Sequence, residues 1–185
     1  IVYTHNQGGG NMKMHIREFA KLTGVSVRTL HYYDEIGLLN PSFVDEQNGY
    51  RSYDERSLER MQEILFYREL DFSLKSIAEI LSSPNYNKRK ALIEQKRLLT
   101  LKKDRLERLI KALDSAVKGE IVVNLNLFDN SEFEKAREKY AQEAKEKWGN
   151  TNSYKEYTEK TASYTKSKWD MINSDTKDII LEFAD

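Results

Sequence analysis

Arg28, Thr29 and Tyr32 follow closely on Ser26, and Arg51 stands between Tyr50 and Tyr53. Both constellations suit a nucleic-acid duplex. A guanidinium chelates the major-groove edge of a guanine or grips a phosphate, a threonine meets a thymine methyl or a phosphate, and the hydroxyls of Tyr32 and Tyr33 offer donors. An arginine projected from a hairpin enters a minor groove or holds the backbone. The bland alternative makes Tyr33 and Tyr53 core aromatics and Arg51 a solvated strand residue.

Other chemistries find little support. The 185 residues contain no cysteine and only His5, His15 and His31. Disulfides, thiolate metal sites and cysteine nucleophiles are thereby excluded, and neither a metal nor a cofactor is expected. There is no Gly-rich phosphate loop and no nucleophile elbow, and the carboxylates lie scattered among basic neighbours, so no catalytic residue is assigned. No apolar run reaches membrane-spanning length and no signal-peptide segment follows the start, which reads as a soluble, cytoplasmic chain.

The formal net charge is zero, from 30 basic and 30 acidic residues, but the charges are unevenly spread. Residues 1–83 hold 9 basic and 12 acidic residues, 84–118 hold 11 and 4, and 119–185 hold 10 and 14. Charge alone points to the middle segment as the polyanion binder. Its lysines and arginines are, however, what the solvated faces of a long helix ordinarily carry.

The elements that must position these side chains are legible from spacing. Ile16, Phe19, Ala20 and Thr23 share a helical face that Gly24 stops, and Ser26 caps a second helix from Val27 to about Ile36, closed by Gly37. Two short helices joined by Gly24-Val25-Ser26 form a helix-turn-helix, with Val27 and Leu30 inward and Arg28, Thr29 and Tyr32 opposite. Pro41 and the Asn48-Gly49 turn signal predict a small β-hairpin over Leu39 to Tyr53. Asp54 and Ser73 predict the caps of third and fourth helices, whose stripes are Leu58, Met61, Leu65 and Leu74, Ile77, Ala78, Leu81.

Asn87 to Lys118 lacks Gly and Pro and spaces Leu92, Leu99, Leu106 and Leu113 seven residues apart. Leu109 and Ala116 fill the later d positions, while Gln95 and Lys102 occupy the earlier two. A helix of this length with no partner before it in the chain predicts pairing with a second copy. Ile1 to Asn11, with Gly8-Gly9-Gly10 and no periodic face, reads as a disordered leader ahead of a start at Met12 or Met14. Beyond Gly119 three helical stripes follow: Phe133, Ala136, Tyr140, Ala144 and Trp148; then Tyr154, Tyr157, Thr161 and Tyr164; then Trp169, Ile172, Thr176, Ile179 and Phe183.

The run from His15 through Val25-Ser26-Val27-Arg28-Thr29-Leu30-His31-Tyr32-Tyr33-Asp34 to Leu39 strongly resembles the opening of MerR-type transcription regulators. Asn48-Gly49-Tyr50-Arg51-Ser52-Tyr53 resembles their wing, and Phe72-Ser73-Leu74-Lys75 opens a stretch that resembles their second helix pair. The resemblance covers about Met14 to Lys118. It implies a winged-helix reader of double-stranded promoter DNA, dimerised by an antiparallel coiled coil, that distorts an overlong promoter spacer so that RNA polymerase engages both elements. The DNA contacts it implies, together with those read from residue types, are Arg17, Ser26, Arg28, Thr29, Tyr32, Tyr33, Asn48, Tyr50, Arg51, Ser73 and Lys75. Leu92, Leu99, Leu106, Leu109 and Leu113 are the expected dimer contacts.

Residues from about Leu125 to Asp185 resemble the start of the TipAS drug-binding domain, through Phe133, Tyr140, Ala144, Lys147-Trp148-Gly149, Tyr154, Tyr164 and Trp169. The resemblance implies a bulky hydrophobic antibiotic or drug as effector, held without a covalent bond because there is no cysteine. Tyr140, Trp148, Tyr154 and Trp169 are the expected ligand contacts, although aromatic stripes at helical spacing are more often core than ligand lining. The expected fold is therefore mainly α: a winged helix-turn-helix domain over 12–84, a coiled-coil dimerisation helix over 85–118 and a partial all-helical effector domain over 119–185, after the leader 1–11. A drug-sequestering protein whose DNA-binding head matters little is the alternative of a different class.

Overall fold

The computed structural model describes residues 13–120, 124–148, 159 and 161–165, and the side chains of 145, 147 and 148 lie outside that description. The leader over 1–11, Tyr154, Trp169 and the side chain of Trp148 therefore fall outside the described residues. Two compact units result: one from residues 1–65 with 157–185, the other from 66–156.

The first unit starts with β1 (Met14–His15), α1 (Ile16–Thr23) and α2 (Val27–Glu35), followed by β2 (Phe43–Val44), β3 (Arg51–Tyr53) and most of α3 (Glu55–Glu69). Glu18 accepts from the His15 backbone N–H at 2.9 Å to fix the start of α1. Gly24, at φ +69°, ends that helix in the left-handed conformation that a side chain resists. The strands form an antiparallel sheet in the order β1-β3-β2, with Met14 opposite Tyr53, and Phe43 opposite Ser52. The edge strand β1 had no counterpart in the sequence reading, because two residues are too few to show alternation.

This sheet packs on the helix pair through Phe19 and Tyr53, whose rings stack at 4.4 Å. Leu30, Tyr33, Ile36, Leu38, Leu39, Met61 and Ile64 complete a core that water barely reaches. Ser57 donates its backbone N–H to Asp54 at 2.9 Å, so Asp54 caps α3 as its position predicts.

The second unit holds the end of α3, α4 (Leu74–Leu81), α5 (Lys88–Val117), a 3-10 turn (Leu125–Phe128) and α6 (Ser131–Trp148). The Ser73 and Asn87 side chains cap α4 and α5. α6 lies against both α4 and α5 and buries Phe133, Tyr140 and Ala144, while Ala91, Gln95 and Leu98 are the buried residues of α5.

Candidate nucleic-acid interface

Helix α2 is set by its cap. Ser26 Oγ accepts the Thr29 backbone N–H at 2.9 Å and lies 2.9 Å from Thr29 Oγ1. Ser26 and Thr29 thus fix the helix start, and Thr29 is only 5 % exposed. Arg28 is exposed beside them, and so is Arg17 on α1. Arg28, Tyr32 and Glu35 recur at i, i+4 and i+7 and so form one stripe, across the helix from Leu30 and Tyr33.

Three placements differ from expectation: Thr29, expected on the outward side, is buried against Ser26, and two tyrosines depart from it as well. Tyr33 has no exposed surface, because it shares the inner face with Leu30, and it belongs to the core rather than to the DNA-facing set. Tyr32 lies on the outer stripe as expected yet is 7 % exposed. Its ring centroid lies 6.1 Å from that of Tyr164.

The wing is a wider hairpin than a two-residue turn would make. The Asp45 backbone N–H donates to the Tyr50 carbonyl at 2.9 Å, leaving Glu46 to Gly49 as the loop. Asn48 is exposed but engaged: its Nδ2 donates to Asp45 at 2.9 Å and its Oδ1 accepts the Tyr50 backbone N–H at 2.9 Å. Gly49, at φ +71°, supplies the positive dihedral that lets the chain return. Tyr50 projects into solvent at 67 % exposure.

Arg51 Nε donates to Asp34 Oδ2 at 2.8 Å, with both side chains partly buried. The arginine is thus tied to the end of α2, and the ion pair links the hairpin to that helix. Asp34 went unnoticed in the sequence, because an acidic residue in a DNA-facing segment carries no signal until its cation is placed. Burial, reinforced by the Asp34 carboxylate and opposed by Arg51, pushes the neighbouring Tyr53 phenol up to about 12.

In the second unit, Ser73 accepts the Ser76 backbone N–H at 3.1 Å and, like Lys75, is exposed at the start of α4. Along α5, Leu92, Leu106 and Leu113 are 38 %, 48 % and 65 % exposed, Leu99 and Leu109 are half-buried, and Ile110 and Val117 extend the exposed face. The two polar breaks in the heptad serve the same subunit. Gln95 is buried beside Tyr67. Lys102 Nζ donates to the Glu69 carbonyl at 2.7 Å and approaches Glu69 Oε1 at 3.2 Å, closing the C-terminus of α3. Tyr140 packs inward on Tyr67 and Phe72.

Among the described residues no cluster of His, Cys, Asp or Glu could hold a metal ion, and no helix is long and apolar enough to cross a membrane.

Comparison with known proteins meets this geometry at each part. The chain matches the MerR HTH family regulatory proteins over residues 14–84 and the MerR DNA-binding region over 58–118. It is 38% identical over 177 residues to the HTH-type transcriptional activator TipA of Streptomyces coelicolor, covering 94% of this chain and 69% of that protein. The chain belongs to the MerR family. Its residues 140–185 match the TipAS antibiotic-recognition domain. The HTH-type transcriptional activator mta of Bacillus subtilis is 37% identical over 181 residues, with the same coverage of 94% and 69%. The crystal structure of the HTH-type transcriptional regulator SkgA from Caulobacter crescentus superimposes with a TM-score of 0.57 at 36% identity, over 71% of this chain and 98% of that one. A MerR-family chain with this head is a transcription regulator, not an enzyme.

Proposed function

We propose that this MerR-family chain is a homodimeric, cytoplasmic transcription activator that reads promoter DNA through α2 and the wing and answers to a bulky, largely apolar drug. The observation that carries the reading is the exposed Arg28 at the capped start of α2, next to a wing locked to the same helix by the Arg51–Asp34 pair. Arg28 and Tyr32 take the major groove, with the buried Thr29 setting the helix start beside them, and Arg51 with Tyr50 and Asn48 the adjoining backbone or minor groove. Arg17, Ser73 and Lys75 anchor phosphates, which fix register without reading sequence. The apolar stripe Leu92, Leu99, Leu106, Leu109 and Leu113 supplies the dimer seam, so that two heads bind as one event.

The similarity to TipA and mta, both activators by name, supports activation rather than blockade. A bound dimer stores a few kcal/mol, roughly, of DNA deformation and brings an overlong spacer into the register RNA polymerase needs. The match to an antibiotic-recognition domain supports a hydrophobic antibiotic as effector, with Trp148, Tyr154 and Trp169 as its proposed contacts; Tyr140, expected among them, is instead taken up by Tyr67 and Phe72 in the core. The test is an operator selected from random duplex DNA and placed in promoters of long and ordinary spacing. Transcription by RNA polymerase should depend on the protein only with the long spacer. Dependence with both contradicts the mechanism.

A further inference from the structure

The Tyr32–Glu35 end of the outer stripe of α2 is contacted from within the chain, while Arg28 stays exposed. Tyr164 donates its hydroxyl to the Glu35 carboxylate, and its ring lies 6.1 Å from that of Tyr32 at a tilt of 36°. Tyr32 and Glu35 stand one turn apart on the stripe that begins with Arg28, and the described residues 161–165 fall in the same compact unit as α2. Tyr32 is accordingly 7 % exposed, although its position on the helix faces away from the core.

We propose that the segment around Tyr164 is an intramolecular competitor for the DNA-reading face of α2, so that its docking and operator binding exclude each other. The proposal rests on the assignment of α2 as the reading helix. Steric exclusion follows from the geometry: a helix seated in a major groove has no room for a tyrosine ring over its base-facing stripe. The charge pattern agrees, because the group that the Tyr164 hydroxyl meets on this stripe is a carboxylate, Glu35. Since residues 140–185 match the antibiotic-recognition domain, the competitor lies in the ligand-sensing part of the chain. Any molecule that binds this segment better undocked than docked raises operator affinity, and the operator raises that molecule's affinity by the same factor.

If the docked form dominates, removing the Tyr164 ring raises apparent operator affinity by the inverse of the free fraction, about tenfold for a tenth undocked. The test measures operator binding by full-length Tyr164→Ala, Tyr164→Phe and Arg28→Ala, without drug. The alanine variant should bind more tightly and the phenylalanine variant should fall between it and the parent. Hydrogen exchange on the unmutated protein gives a second readout that needs no variant: residues 161–165 should lose protection when operator is added. Unchanged or weaker binding by Tyr164→Ala, or a segment that stays protected on the operator, overturns the proposal. Arg28→Ala separates the two ideas: if it weakens binding while Tyr164→Ala does nothing, only the competition fails, whereas if neither matters the reading-helix assignment fails with it.

Discussion

The hydroxyls of Tyr67 and Tyr140 share a hydrogen bond of 2.8 Å, and their rings stack at 6.3 Å with only 10° between planes. Tyr67 closes α3, and Tyr140 stands in α6, where the match to the antibiotic-recognition domain begins. Both are buried, with Phe72 edge-on to each. The first helix of the sensing region is thus joined to the last turn of a head helix by a buried polar contact. A pair of this kind holds one geometry because misplacing either hydroxyl leaves the other unsatisfied.

Removing one hydroxyl should therefore cost more than half of what removing both does. Tyr140→Phe is expected to lower unfolding free energy by about 1 to 3 kcal/mol, and the double variant with Tyr67→Phe by much less than the sum of the singles. Urea unfolding of the four proteins checks this, and simple additivity contradicts it.

Alkaline pH should expose the same burial. Desolvation, with Tyr140 adding to it, raises Tyr67 well above the usual phenol range, burial raises Tyr140, and Tyr53 is pushed up to about 12. Each group keeps its proton in the folded chain after the unfolded chain has begun to lose it. Their contribution to stability is therefore complete below the ordinary tyrosine pKa of 10.0 and declines as pH rises from there; for Tyr53 the decline ends near about 12. Tyrosinate absorbance should show these phenols titrating late or only on unfolding, and Tyr53→Phe should flatten part of the stability loss over that window.

Ser26→Ala should remove the cap of α2 and cost about 1 kcal/mol. Operator affinity should fall with it, because the same oxygen fixes Thr29. Thermal unfolding and a binding titration on one preparation check both parts.

Leu106 and Leu113 are exposed within one chain, so their replacement by glutamine should leave helix content unchanged while it separates subunits. Sedimentation should report a monomer, and operator affinity should drop about a hundredfold or more, because two half-site contacts no longer act as one. An intact dimer contradicts the assignment of the seam.

Much of the head could be read before any coordinates. Ser26, Asp54 and Ser73 advertise helix starts through local chemistry, and each caps where the chain says it does. What escaped depends on distant partners. Gln95 and Lys102 read as flaws in a heptad until Tyr67 and Glu69 are placed opposite them. Asp34 gains its meaning only from Arg51, seventeen residues away in sequence. Tyr33 and Tyr32 look alike in a string of letters, and only the phase of α2 sends one to the core and the other to the outer stripe. Asn48-Gly49 signals a hairpin correctly, but the loop length is set by the pairing of Asp45 with Tyr50.

Whether α2 reads DNA sequence is decided by the binding of Arg28→Ala to a selected operator and to its single-base variants. The expected loss is about 1 to 3 kcal/mol on the best operator, shrinking on variants altered at the contacted base pair. A loss that is the same on every variant would make Arg28 a phosphate anchor, and affinity equal to that of the unmutated chain would contradict the placement of α2 in the groove.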